Sequence, residues 1–473
     1  MIKVLPFAVA LLGLSTLFSA DDWPQFRGPN SAGVSDNRNL PVEFGPNKNV
    51  VWKTDLPPGH SSPVLVGDRI FVTAVDNDGK LFTIRLDRAS GRINWRREIP
   101  RARKEPLHQA NGPASPSPTS DGKNVFVFFT DFGLISFGPD GNERWRMPLG
   151  PFNNPMGMSA SPVLVGDTLL VSLDQESGSY FLAIDKNTGK VKWKVDRSEF
   201  TRGFSTPIIY KPADGPPQAL IAGSYQLTAY AVDSGKAVWW VNGLTWQLKP
   251  TPVLGKDVVY VQCWAGGSDT GQQEDIPPFE DELQRLDANH DGKLSKDEIH
   301  DPKILNDWES VDLDRDGILD ARDWKLYRSR RSAQNALLAF RLGGKGDMTE
   351  KSLLWKYTKA LPNVPSPLLY KNVLYMLKEG GIFTSLDPAT GKVLKQARLA
   401  GALGDYFSSP VAADDKIYAI SEEGKAAVIQ PGGEWKILTV NDLGDNCNAT
   451  PAIADGRLYI RTHHALYCFA RRD

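Results

Sequence analysis

Two twelve-residue stretches carry oxygen-bearing side chains at alternate positions. The first runs Asp287-Ala-Asn289-His-Asp291-Gly292-Lys293-Leu294-Ser295-Lys-Asp-Glu298. Calcium is a hard cation that takes roughly six to eight oxygens, and this spacing turns every second side chain toward one centre. Asp287, Asn289 and Asp291 offer side-chain oxygens, Lys293 its backbone carbonyl, Ser295 a hydroxyl and Glu298 two carboxylate oxygens. Gly292 sits at the sharp turn, where a positive φ is needed. The pattern fits an EF-hand calcium loop at every position. The second stretch supplies Asp312, Asp314, Asp316, Gly317, the Ile318 carbonyl, Asp320 and Asp323. Its last ligand is Asp rather than Glu, one methylene short, so weaker calcium binding and better tolerance of Mg²⁺ are expected there. One or two Ca²⁺ ions follow. Leu294 and Leu319 share a loop position and are expected to pair.

The elements that hold these loops are short. Phe279, Leu283 and Leu286 fall on one helical face before loop one, Leu305, Trp308 and Val311 precede loop two, and Trp324 and Tyr327 follow it. A compact pair with its apolar faces turned on each other is the result. The segment 268–333 has 18 Asp and Glu against 10 Lys and Arg, a net of −8, while the rest of the chain has 38 acids and 45 bases, a net of +7. The acidity of the insertion beside a net basic body favours docking once calcium neutralises part of the charge. The whole-chain net of −1 argues against nucleic acid as a partner.

The body is a repeat. A Ser/Thr-Pro pair recurs at Pro63, Pro118, Pro162, Pro207, Pro252, Pro367, Pro410 and Pro451, with intervals of 41 to 55 residues except for 115 across the insertion. Residues 159–196 show one copy: four apolar runs (161–165, 169–173, 180–184, 191–195) separated by Gly-Asp, Glu-Ser-Gly and Asn-Thr-Gly-Lys. Runs of this kind between turn residues read as a four-stranded meander. A turn ending in tryptophan recurs at 87–95, 185–193 and, one residue shorter, 233–240; 387–395 keeps the turn without the tryptophan. Repeats of this period predict an all-β, eight-bladed β-propeller. The last copy stops after three strands, and 49–56 (N-V-V-W-K-T-D-L) is expected to supply the fourth and close the ring.

Domain limits follow: 1–20 an export segment, 21–48 an extension, 49–267 the first part of the propeller, 268–333 the EF-hand pair in blade five, and 334–473 the remainder. Residues 1–20 have one Lys, an apolar run and Ala20 before Asp21, which reads as a signal peptide, with a retained anchor as the alternative. No cysteine follows that run, so no lipid-anchored form is expected. Cys263, Cys447 and Cys468 make an odd count, read as inert thiols with a folded-back disulfide as the alternative.

The run Trp23-Pro-Gln-Phe-Arg-Gly-Pro29 and the turn-plus-tryptophan endings resemble bacterial secreted propellers of the pyrroloquinoline-quinone-like type. That resemblance covers nearly the whole chain after residue 20 and implies the tryptophan-docked propeller fold. It implies no single function, since the superfamily holds both quinone-dependent alcohol dehydrogenases and non-catalytic propellers such as the outer-membrane assembly lipoprotein. Loops into the first strand of each blade, and those between second and third strands, share one face. His60, His108, Asn111, Asn153, Asn154, Met156, Arg202, Trp246, Lys249, Asn363, Tyr406 and Asn446 are therefore expected around one channel mouth. The insertion, which falls between the second and third strands of blade five, is expected on the same face. The favoured reading is a calcium-binding scaffold of the periplasm or exterior, monomeric, not spanning a membrane once the export segment is removed. Its partner is an envelope or extracellular protein or a small molecule. The alternative is a pyrroloquinoline quinone (PQQ)-dependent dehydrogenase, which the family builds with adjacent cysteines and channel carboxylates that this sequence lacks.

Overall fold

A computed structural model describes residues 22–471. The expected export segment lies outside them. Short runs of β-branched and aromatic residues cannot bury both faces alone, and here they form eight four-stranded antiparallel sheets. Blade three is typical, with strands Val163–Val165, Thr168–Leu173, Tyr180–Asp185 and Val191–Asp196, each within two residues of the run read from sequence. First strands of neighbouring blades touch, as Val64–Val66 does with Thr119–Ser120 and Ala452–Ala454, so they line the axis.

Closure is as expected. Val50–Asp55 pairs antiparallel with Ala465–Ala470, with Lys53 opposite Tyr467 and Asp55 opposite Ala465. The ring therefore joins both ends of the chain and leaves no unpaired gap in blade eight.

Neighbouring blades are locked by indoles. Trp52, Trp95, Trp145, Trp193 and Trp355 each stand in a fourth strand and donate Nε1–H to a carbonyl in the turn of the next blade: Arg88 (3.1 Å), Pro139 (3.1 Å), Lys186 (2.8 Å), Val232 (3.0 Å) and Pro388 (3.0 Å). Each fits over a glycine of that turn. A Cβ on Gly91 would lie 2.4 Å from Trp52, and one on Gly189 2.8 Å from Trp145. Trp145 escaped the repeat pattern because its turn, Asp140-Gly141-Asn142, is shorter.

The seam between blades four and five is the irregular one. Trp239, not Trp240, holds the blade-tryptophan register, opposite Ala229 just before the bulge, as Trp193 is opposite Ala183. It donates to Gln218 Oε1 of its own blade (2.8 Å) rather than to the next. Gly346–Asp347 of blade five adds a parallel fifth strand along Trp239 and Trp240. Blade six has Lys395 where a tryptophan is missing, and its ammonium donates to the Trp435 carbonyl at 2.7 Å and lies 4.4 Å from that ring. The indole thus enters that seam from blade seven.

The N-terminal segment explains its own odd sequence. Trp23 bridges to Leu65, Pro24 O accepts from Ser120 N–H, Asn30 exchanges hydrogen bonds with Ile209, Arg27 donates to Pro367 O, and Ser35 N–H donates to Ala412 O. These partners lie on the first strands of blades one, two, four and seven and immediately before that of blade six. The segment crosses the axis and floors the channel before running out beneath blades seven and eight, where Leu40 N–H meets Asp414 and Phe44 N–H meets Asn441.

Candidate functional site

Two structures share the loop-bearing face: the insertion of blade five and the open end of the floored channel. The insertion leaves the second strand of blade five (Val258–Cys263) and returns as the third (Ala336–Arg341). It contains α1 (Phe279–Leu286), α2 (Pro302–Asn306) and α3 (Ala321–Ser332). Phe279, Leu294, Ile299, Ile304, Val311, Leu319, Trp324 and Tyr327 form its closed core, and Leu294 pairs with Leu319 as the loop positions required.

Both acidic loops fold around their own carboxylates. In the first, Asp287 Oδ2 accepts from Gly292 N–H (2.9 Å), Asn289 Oδ1 from Asp291 N–H (2.9 Å), and Glu298 from Ala288 N–H (3.0 Å) and Ser295 N–H (2.9 Å). Gly292 and Gly317 adopt φ of +77° and +85°. In the second loop Asp312, Asp314 and Asp323 each bring a carboxylate oxygen within 4.8 Å of the others. Asp312 and Asp323 are buried, and Asp312 Oδ1 has no partner, while its Oδ2 accepts from Trp308 Nε1–H (3.1 Å) and Gly317 N–H (3.0 Å). Asp320 and Asp323 form a capping box on α3, which draws the short Asp323 toward Asp312. Burial, with Asp320 and Asp314 alongside, pushes the Asp323 carboxyl up to about 7.

The insertion docks on the propeller. Its basic residues, not its acids, grip the propeller. Arg322 donates to the carbonyls of Glu176 (2.9 Å) and Ser198 (2.9 Å), Lys325 pairs with Glu199, and Tyr225 O–H donates to Leu326 O (3.0 Å). Arg330 and Arg202 both lie over the Trp246 ring, at 4.5 and 4.9 Å. Local hydrogen bonding overrides net charge because many of the acids are engaged within the insertion, in the two loops or in pairs such as Glu274–Arg331 and Asp307–Arg330.

The channel end is a cup of about 340 Å³. Phe26 rises from the floor segment, and Phe204, Trp264 and Phe407 contribute apolar wall. The eight Ser/Thr residues that open the blades form a collar around it: Ser62, Ser117, Ser161, Thr206, Thr251, Ser366, Ser409 and Thr450. Ser62 N–H donates to Ser117 Oγ (2.9 Å), Ser117 N–H to Ser161 Oγ (3.0 Å), and Ser161 N–H to Thr206 Oγ1 (3.1 Å). Thr251, Ser366, Ser409 and Thr450 continue the chain at 3.0 Å each, back to Ser62. Only the seam between Thr206 and Thr251 interrupts it.

Of the residues expected at the mouth, His60, His108, Asn111, Met156, Lys249 and Asn363 line the cup. The other six do not. Asn153 donates to Leu313 O of the insertion (3.1 Å), and Asn154 holds its own loop through Met156 N–H (3.1 Å). Arg202 pairs with Glu176 beneath the insertion, beside Trp246. Tyr406 is buried in the core of blades six and seven, and Asn446 uses its backbone to hold His463 (2.8 Å). The Ser/Thr-Pro pairs mark the blade boundaries in sequence, but the collar their hydroxyls form depends on neighbouring blades and has no local signal. Burial holds the His60 imidazole down at about 4, with His463 and Arg461 acting in the same direction. Cys263, Cys447 and Cys468 are free and buried, as inert thiols should be.

These features define a closed eight-bladed propeller with tryptophan-docked blades and a floored channel. The chain matches the family described as outer membrane protein assembly factor BamB (PQQ_2) over residues 42–177, 85–260 and 177–473, and it belongs to that family. Among solved structures it is similar to BamB from Moraxella catarrhalis, at 13% identity over 89% of this chain and 99% of that one, with a TM-score of 0.56. A europium-containing methanol dehydrogenase aligns at 11% identity over 96% and 98%, TM-score 0.61. The computationally designed protein Ika8 aligns at 9% identity over 88% and 98%, TM-score 0.51. At such identities the fold is what is shared. No curated protein matches the sequence. Among the described residues no helix is long and apolar enough to cross a membrane.

Proposed function

We propose that this protein is an exported propeller scaffold that binds Ca²⁺ in an EF-hand pair and offers its loop-bearing face to a partner in the cell envelope. The observation that carries this reading is the orphaned, buried Asp312 Oδ1 beside Asp314 and Asp323. A buried carboxylate oxygen without a donor is costly, and three acids brought together repel one another unless a cation joins them. The donor set is all oxygen, which suits a hard divalent ion. Asp287, Asn289, Asp291, Ser295, Glu298 and the Lys293 carbonyl would hold one ion; Asp312, Asp314, Asp316, Asp320, Asp323 and the Ile318 carbonyl would hold the other. A bound ion neutralises these acids and ties α3 to the segment before it. Arg322 and Asn153 then carry that rigidity to blade three and the loop that enters it, so the ion steadies the face rather than opening a groove. Isothermal titration of the chelated protein with CaCl₂ tests this, and absence of binding at millimolar Ca²⁺ would sink it.

The quinone-dehydrogenase reading finds no support in the cup. No Asp or Glu lines it to hold a metal against a quinone, and the three cysteines are far apart in sequence and unpaired. The residues present do not fit a metal-held quinone.

A further inference from the structure

Three cations stand in or behind the lining of the cup, and none of them forms an ion pair among the described residues. Lys249 lines it, and its ammonium donates to Gln247 Oε1 at 3.1 Å and forms no ion pair among the described residues. Burial pulls its pKa down to about 8, with Arg202 acting in the same sense and only Glu379 opposing. In the floor, Arg27 is fully buried and donates to Pro367 O at 2.8 Å, while its Nε and Nη1 have no partner. In the wall beneath His60, buried Arg461 reaches only oxygens of Ser61, Thr73 and Pro57, none of them charged. No acid lines the cavity.

Buried charge without an ion pair is expensive, and Arg27 and Arg461 behind the lining, with half-buried Lys249 at the hollow itself and offset only in part by Glu379, favour a negative occupant. The collar points the same way. Seven of its hydroxyls already accept a backbone N–H, at 2.9 to 3.1 Å, and none of the eight protons is donated to an acceptor among the described residues. A hydroxyl whose lone pair is engaged is a better donor and a poorer metal ligand. The rest of the wall is apolar: Phe26, Phe204, Trp264 and Phe407. A bare inorganic anion would leave those rings uncovered. From this we infer that the cup binds a small organic monoanion, a carboxylate on a single-ring-sized apolar body, held by Lys249 directly and without a metal ion. The assignment goes beyond the calcium reading and does not depend on it.

The test is calorimetry on the full chain with benzoate, benzamide, benzylamine and inorganic phosphate, in calcium and again in chelator. Benzoate is expected to bind at least tenfold more tightly than the other three, equally in both buffers. Lys249→Met should erase the preference for benzoate over benzamide, and Lys249→Arg should keep it. Lys249→Gln takes the place of the methionine variant if that chain does not fold. Benzoate binding no tighter than benzamide, or no binding at all, overturns the proposal. So does a preference that survives Lys249→Met, phosphate binding as tight as benzoate, or binding lost in chelator.

Discussion

The backbone N–H of Thr450, in the last blade, donates to Ser62 Oγ of the first at 3.0 Å. This bond joins residues 388 positions apart and links the collar across the seam between the last blade and the first. Both groups are buried, so Ser62→Ala leaves a backbone donor unpaired. The expected loss is about 1–3 kcal/mol in urea unfolding, against a few tenths for an exposed serine. An unchanged midpoint would show that the collar bonds carry no stability.

Gly91 combines φ of +73° with a Trp52 indole 2.4 Å from where a Cβ would stand. Gly91→Ala therefore meets both a disfavoured backbone region and a rigid ring, and about 3 kcal/mol of destabilisation is expected. Gly67, also at positive φ but with nothing within 4 Å, serves as the control. Equal losses for the two alanines would refute the docking argument.

Calcium at a hundred times its dissociation constant should raise stability by about 2.7 kcal/mol through mass action, read as a rise in Tm. The shorter Asp323 was expected from sequence to weaken the second loop, yet the capping box brings it within reach of Asp312 and Asp314. Asp323→Ala is therefore expected to cut the calcium-dependent rise at least as much as Asp287→Ala. The opposite order would restore the first loop as the stronger site.

His60 has a folded pKa of about 4, below its ordinary 6.5. Between those values the unfolded chain binds a proton that the native state refuses. Stability from this group is thus complete above pH 6.5 and is lost as pH falls toward 4, by about 3 kcal/mol at most. His463 is shifted in the same direction, chiefly by burial, and adds to the effect. His60→Gln should flatten the acid limb of a stability–pH profile; an unaltered limb would place the acid sensitivity elsewhere.

Arg322 makes three hydrogen bonds to blade-three carbonyls and is the main polar tie of α3 to the propeller. Arg322→Ala should speed amide exchange in 268–333 several-fold while the blades keep their protection. Uniform exchange across the whole chain would mean that the insertion is held by its other contacts.

The ring was legible because its signal repeats. Eight Ser/Thr-Pro pairs and three turn-plus-tryptophan endings are redundant, and a period survives the loss of any one copy, as in blade six. The acidic loops were legible because metal-ligand spacing is local. What could not be read was anything set by contacts distant in the chain. Arg322 finds Ser198 only because the insertion of blade five reaches back to blade three; Trp239, by contrast, keeps a local spacing, four residues past Gly235 as Trp193 is past Gly189, and the neighbouring Trp240 hides it. The floor was hidden for the same reason as the Arg322 contact: Trp23 to Pro29 was recognised as distinctive, but its partners are scattered over five blades.

That floor has one more consequence. A hole stopped by the chain's own leading residues cannot serve as a conduit, so nothing threads through this molecule, and whatever enters must leave by the same side. Since the sheet that seals the circle needs residues near 50 and near 470 together, a chain made only part of the way to residue 470 is an open crescent, and the vessel exists only once that last strand can pair.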